Sequence, residues 1–227
     1  MVTRAVQDYL KAIYKLQREG APANTNAIAE ALGIRAASVT SMLQWLRKQG
    51  MADYTRYRGV NLTDKGLSEA LRVIRRHRLI ELYLHQYLDV PWDAVHDEAE
   101  RLEHAISPYL EERIDARLGY PQFDPHGAPI PTSTGTITER DLITLYDLPP
   151  DMPSVVQHIP DDDPELLRHA AELGLLPNVA LVVGGRDPLD GSVQVVLDTP
   201  GMPGDNHAPH RVERDVARRI FVSRPEG

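Results

Sequence analysis

Ala27-Ile-Ala-Glu-Ala-Leu-Gly33-Ile-Arg-Ala-Ala-Ser-Val39-Thr-Ser-Met42 is the stretch on which the reading of this chain turns. Its small and apolar residues fall where two short helices must meet. Ala29 lets the helices approach closely, and Gly33 permits the left-handed turn between them. Ile28, Ile34, Val39 and Met42 supply a small core. The pattern predicts a helix over Thr25–Leu32, a tight turn, and a longer helix from Ala36 to Gln49 capped by Gly50. That is a helix-turn-helix, whose second helix enters the DNA major groove. Its exposed face offers Arg35, Ser38, Thr40, Ser41 and Gln44 towards base edges, with Arg47 and Lys48 placed for phosphates.

Upstream, Thr3–Arg18 reads as an amphipathic helix with Val6, Leu10, Ile13 and Tyr14 near one side, stopped by Gly20-Ala-Pro22. Downstream, Met51–Tyr57 and Val60–Thr63 read as a hairpin carrying Arg56 and Arg58, further candidates for phosphate contact. The hairpin turns the helix-turn-helix into a winged helix. Thr63-Asp64 opens a long helix to about Leu88, and Pro91 starts another, Trp92–Leu118, ended by Gly119. Tyr120–Thr138, with Pro121, Pro125, Pro129 and Pro131, reads as an extended linker. Beyond it, Leu142–Leu148, Ser154–Ile159, Ala180–Val183, Ser192–Leu197 and Arg219–Val222 read as strands, interrupted by a helix over Pro164–Leu173. The expected fold is mainly α with a small β domain, divided as 1–66, 67–120, 121–141 and 142–227.

Composition narrows the function. The 227 residues include no cysteine, which removes disulfides, thiolate zinc sites and thiol nucleophiles. The longest apolar stretch, Leu173–Gly185, is broken by Pro177 and is too short to span a bilayer. The first residues lack the apolar core of a signal peptide. A soluble, cytoplasmic protein without a membrane partner is expected. The net charge of −8 is uneven: residues 1–90 hold 14 Lys+Arg against 8 Asp+Glu, and residues 91–227 hold 11 against 25. A basic first part joined to an acidic remainder points the N-terminal domain alone at a polyanion.

The helix expected from Trp92 carries the chemistry. Trp92, Val95, Ala99, Leu102, Ile106 and Tyr109 form one apolar stripe, and His96, Glu100, Glu103 and His104 a strip beside it. Uncompensated carboxylates in that half-buried place are costly, and two carboxylates with two imidazoles can share a divalent cation instead. On the preceding helix His77 and Glu81, spaced i,i+4, fall within an apolar stripe of their own. Oxygen and nitrogen donors without sulfur suit Mn(II) and Fe(II), and tolerate Co(II), Ni(II), Zn(II) or Cd(II) in vitro. His85, His126, His158, His169, His207 and His210 lack such company and read as structural or exposed.

Arg76-His-Arg-Leu-Ile-Glu81, Val95-His-Asp-Glu-Ala-Glu-Arg-Leu-Glu-His104 and Asp124-Pro-His-Gly-Ala-Pro-Ile-Pro131 together resemble the diphtheria-toxin-repressor/manganese-transport-regulator family. The resemblance implies a winged helix, a helical dimerisation and metal-binding domain, and an SH3-like, FeoA-type C-terminal domain. It implies a primary metal site at Asp8, Glu100, Glu103 and His104, and an ancillary site at His77, Glu81 and His96. Asp162 and Glu165, spaced i,i+3, fit best as further ancillary ligands, with Asp161 and Asp163 competing. Asp8 comes from the resemblance alone, since it lies on the polar side of its helix. Asp8 and Glu100 stand where iron-type members have Met and Cys, which points towards manganese. Lys11 departs from manganese regulators with a Glu there.

The reading is therefore a homodimeric regulator that binds palindromic double-stranded operator DNA when loaded with Mn(II), with Fe(II) the alternative effector. Two other classes compete. Glu100-Arg-Leu-Glu103-His104 approaches a metallohydrolase motif, but Glu replaces its first His. A winged-helix regulator sensing an organic ligand is the other, although no organic substrate is expected.

Overall fold

The computed structural model describes residues 2–18, 20, 23–55, 59–198 and 209–224. Arg56, Arg58, His207 and the proposed helix stop at Ala21-Pro22 lie outside the described residues. The chain forms two compact units. One comprises Met1–His77, Leu102–Ser107 and Pro131–Ile137, the other Arg78–Arg101, Pro108–Ile130 and Thr138–Gly227.

The first unit is the winged helix. Helices α1 (Arg4–Arg18), α2 (Thr25–Ala31) and α3 (Ala36–Lys48) are followed by a hairpin of β1 (Ala52–Thr55) and β2 (Gly59–Leu62), and then by α4 (Asp64–Leu88), which runs on into the second unit. The side chain of Asn24 accepts from the N–H groups of Asn26 and Ala27 and so caps α2. Gly33 takes φ 63° at the turn into α3. Leu10 and Ile13 of α1 share one buried core with Ile28, Val39, Leu43, Leu46, Val60 and Ile74. Ile34, expected in that core, is 39% exposed.

The single helix expected over Trp92–Leu118 is two: α5 (Val95–Leu102) and α6 (Pro108–Arg117). The chain leaves α5 at Leu102, and Pro108, which has no N–H to give and disfavours helix at the residue before it, opens α6 as a separate helix. Glu103 and His104 consequently stand in the turn after α5, not on a helical face.

The second unit carries one antiparallel sheet of β3 (Leu142–Thr144), β4 (Pro153–His158), β5 (Ala180–Arg186), β6 (Val193–Asp198), β7 (His210–Val212) and β8 (Phe221–Ser223), in the order β3-β8-β4-β5-β6-β7. Helices α7 (Pro164–Glu172) and α8 (Arg214–Ala217) complete it; β7 and α8 escaped the sequence reading. Leu145, Leu148, Val156, Ile159, Leu167, Leu181 and Val222 fill its core, with Trp92 packed against them.

The proline-rich stretch is not an extended linker. Asp124, His126, Ala128 and Ile130 are buried, and Phe123 bridges Pro129. Arginines satisfy its carbonyls: Arg75 donates to Pro131 O at 2.7 Å, Arg78 to Pro129 O at 2.5 Å, and Arg140 to Gly127 O. Prolines pre-set the backbone, and side-chain donors replace the missing ladder partners.

Candidate metal centre

In the first unit, Asp8 on α1 meets Glu103 and His104 in the turn after α5. His104 Nδ1 lies 2.8 Å from Gln7 Oε1, so the ring donates there and leaves the Nε2 lone pair bare. That lone pair faces Asp8 Oδ1 at 2.8 Å and Glu103 Oε1 at 3.2 Å. Neither His104 Nε2 nor Glu103 Oε1 has a hydrogen-bond partner, and both are buried. Three lone-pair donors converging in a partly buried place repel one another, and a cation among them would relieve that repulsion. The donor set fits a hard or borderline divalent ion. Gln7, which nothing in the sequence singled out, fixes the imidazole as a partner behind the ligand.

His77 and Lys11 belong to this neighbourhood as well. His77 Nδ1 is 2.6 Å and Lys11 Nζ 2.7 Å from Glu103 Oε2. All three are buried, Glu103 completely.

A second group forms in the second unit. His96 Nδ1 lies 3.3 Å from Glu81 Oε1 and 3.1 Å from Asp161 Oδ2, while Glu100 Oε1 is 3.7 Å from Nε2. Glu81 also gathers with Asp124 and His126, all three buried. His126 Nε2 donates to Trp92 O at 2.7 Å, which leaves Nδ1 as an unpartnered buried acceptor. Asp124 Oδ1 accepts from the N–H groups of His126 and Ala128, both at 2.9 Å. Burial, reinforced by Glu81, pushes the Asp124 carboxyl up to about 7 against the pull of Arg78 and His126. His158 donates from Nδ1 to His126 O, and burial drives its ring down to about 4. A carboxyl held up near neutrality beside an unused imidazole nitrogen is also what a cation would relieve.

Within the first unit Asp8, Glu103 and His104 come together, and within the second Glu100, with its side chain 39% exposed, lies near His96. Within the second unit Glu81 and His96 come together, and within the first His77 bonds Glu103. Asp162 and Glu165 do not reach His96. Asp163 caps α7 by accepting from Glu165 and Leu166 N–H, Asp162 pairs with Arg219 at 3.3 Å, and Glu165 is exposed. The turn leaves Asp161 as the carboxylate at the site. Asp124 and His126 were missed because neither has helical periodicity; their spacing in Asp124-Pro-His was the available signal.

On the outer side of α3 in the first unit, Arg35, Ser38, Ser41, Gln44, Arg47 and Lys48 are exposed. Thr40 is half-buried, bonded back to Ala36 O at 3.3 Å. Thr40, Gln44, Arg47 and Lys48 line a groove closed by Tyr54 and Thr55. Trp45, which the sequence reading left out, is 41% exposed on α3.

Known proteins bear on both sites. Residues 1–60 match the iron dependent repressor N-terminal DNA binding domain. Residues 63–132 match the iron dependent repressor metal binding and dimerisation domain, and residues 143–224 the FeoA domain. The iron-dependent repressor IdeR of Mycobacterium tuberculosis H37Rv is 32% identical over 223 residues, covering 92% of this chain and 94% of that protein. The HTH-type transcriptional regulator MntR of Oceanobacillus iheyensis is 38% identical over 53% of this chain and 81% of its own length. A solved manganese-dependent transcriptional repressor in complex with manganese superposes with TM-score 0.87 at 37% identity, covering 96% of this chain and 99% of that one.

Proposed function

Since the chain belongs to the iron-dependent repressor family, whose members are metal-dependent transcriptional repressors and not enzymes, we propose that its effector is Mn(II). In this reading a homodimer binds a palindromic double-stranded operator when the metal is bound. The observation that carries it is the bare Nε2 lone pair of His104 set against two carboxylate oxygens. A bound cation supplies the positive charge that joins them. Asp8 then holds α1 to the Glu103–His104 turn. Because α1 shares its core with Leu43 and Leu46 of α3, that constraint reaches the recognition helix. Arg35, Ser38, Thr40, Ser41 and Gln44 read bases there, and Arg47, Lys48, Arg56 and Arg58 meet phosphates. Leu88, Tyr109 and Leu110, exposed by 57%, 72% and 45%, provide apolar surface for the partner subunit. No helix among the described residues is long and apolar enough to cross a membrane.

Fe(II) is the second reading, favoured by the IdeR likeness along nearly the whole chain. The carboxylate-rich, sulfur-free first cluster favours Mn(II). A gel-shift series on the protein's own promoter region, with chelator and with each metal under anaerobic conditions, decides. Binding is expected with Mn(II) at lower concentration than with Fe(II), and lost on chelation. Undiminished binding after exhaustive chelation would refute the metal switch, and activation by Fe(II) alone would replace Mn(II) with iron.

A further inference from the structure

Lys11 is an uncommon object, a lysine buried to 5% exposure on the inner side of α1. Its ammonium donates to Glu103 Oε2 at 2.7 Å. His77 Nδ1 approaches the same oxygen at 2.6 Å, a distance that requires the ring to donate there. The 3.2 Å separation of Lys11 Nζ from His77 Nδ1 is then proximity between two donors sharing one acceptor. A carboxylate oxygen has two lone-pair sites, and both of those on Oε2 are taken. Oε1 is left facing His104.

We infer that Lys11 is a resident cation of this centre, a positioning residue that fixes both how Glu103 binds and how many ions the cluster takes. The inference rests on the metal reading proposed above. With Oε2 saturated, Glu103 meets the ion through Oε1 alone, beside Asp8 and His104. The ammonium also fills the place from which a second ion would bridge Oε2 and His77, and a positive charge there repels a divalent cation at short range. The first-unit cluster is therefore a one-ion site. Lys11 also ties α1 to Glu103 before any metal arrives, so the metal completes a linkage already half made.

The test counts ions on the full chain in a Glu81→Gln background, which weakens the second-unit group and leaves Asp8, Glu103 and His104 untouched. Equilibrium dialysis with elemental analysis measures Mn(II) per protomer. Removing the ammonium by Lys11→Ala is expected to add one ion per protomer. Electron paramagnetic resonance should then change from the six-line pattern of isolated Mn(II) to that of a coupled pair. An unchanged count and an unchanged spectrum would overturn the role of Lys11. Glu103→Gln in the same background reports on the parent reading separately. It should lose the ion altogether, and an unaltered count there would sink the metal site itself. Should Lys11→Ala not fold, the Glu81→Gln protein still decides, because a coupled Mn(II) pair with Lys11 in place contradicts a one-ion site.

Discussion

Asp124 shows how one side chain can carry the state of a centre. Its Oδ1 is tied to two backbone N–H groups, and its Oδ2 is buried, with Arg78 Nε no nearer than 3.5 Å. Desolvation and Glu81 hold the carboxyl up at about 7, so below neutrality it keeps its proton in the metal-free protein. The unfolded chain ionises near 3.8. Between those values the folded state binds more protons, and the contribution of Asp124 to stability falls as pH rises through 7. A cation needs the carboxylate, so its binding expels that proton. Calorimetric Mn(II) titrations at pH 6 in two buffers of different ionisation enthalpy should show proton release, reduced in Asp124→Asn by close to one proton. Equal release from both proteins would place Asp124 outside the centre.

At the scale of elements, the turn Asp124–Ala128 depends on a strand far along the chain. Ile159 N–H and His158 Nδ1–H both donate to His126 O, at 3.0 and 3.2 Å. Gly127 sits at φ 86°, and a Cβ there would lie 1.9 Å from Gln157 O. Gly127→Ala therefore combines backbone strain with a clash against β4. It should cost about 2–4 kcal/mol in denaturant unfolding of the metal-free protein. A loss below about 0.5 kcal/mol would mean that the turn and strand are not locked together. No local pattern announces such a partnership, and this is where the sequence reading stopped short. The winged helix and α4 were legible because periodicity, caps and Gly33 agree over short spans. The candidate ligands were legible as a cluster of carboxylates and imidazoles on neighbouring segments, but not the turn that carries Glu103 and His104. Periodicity runs one helix through Glu103 and His104, where the chain turns instead, and it ranks Asp161 behind Asp162 and Glu165 because the cap at Asp163, which leaves Asp161 beside His96, has no helical period. Asp8 was reachable only through likeness to known sequences, since its partners lie about 95 residues away in the chain.

Over the whole molecule, the parts proposed to be essential and those proposed to modulate them fall in different stretches of chain. The winged helix, Asp8, Lys11, Glu103 and His104 all belong to a unit that ends at Ile137. The excess positive charge lies in the same direction, with +6 over residues 1–90 against −14 over the remainder. A chain ending at Arg140 keeps every residue of the first unit. It loses Asp161 from His96, and it loses β4, whose backbone and side chains brace the His126 turn. It also uncovers Trp92, which packs on the C-terminal core. The second-unit group is thereby weakened while the first-unit cluster stays whole. By linkage, a weaker site needs more free metal to stabilise the DNA-competent form. The truncated protein should still bind operator DNA with Mn(II), with the midpoint of a Mn(II) titration raised severalfold over the full chain. Its binding should remain steeply salt-dependent, because Arg47 and Lys48, proposed to meet phosphates, are intact. An unshifted midpoint would remove the C-terminal domain from metal sensing. A folded truncated protein unable to bind at any Mn(II) concentration would mean that DNA recognition itself depends on residues beyond Arg140.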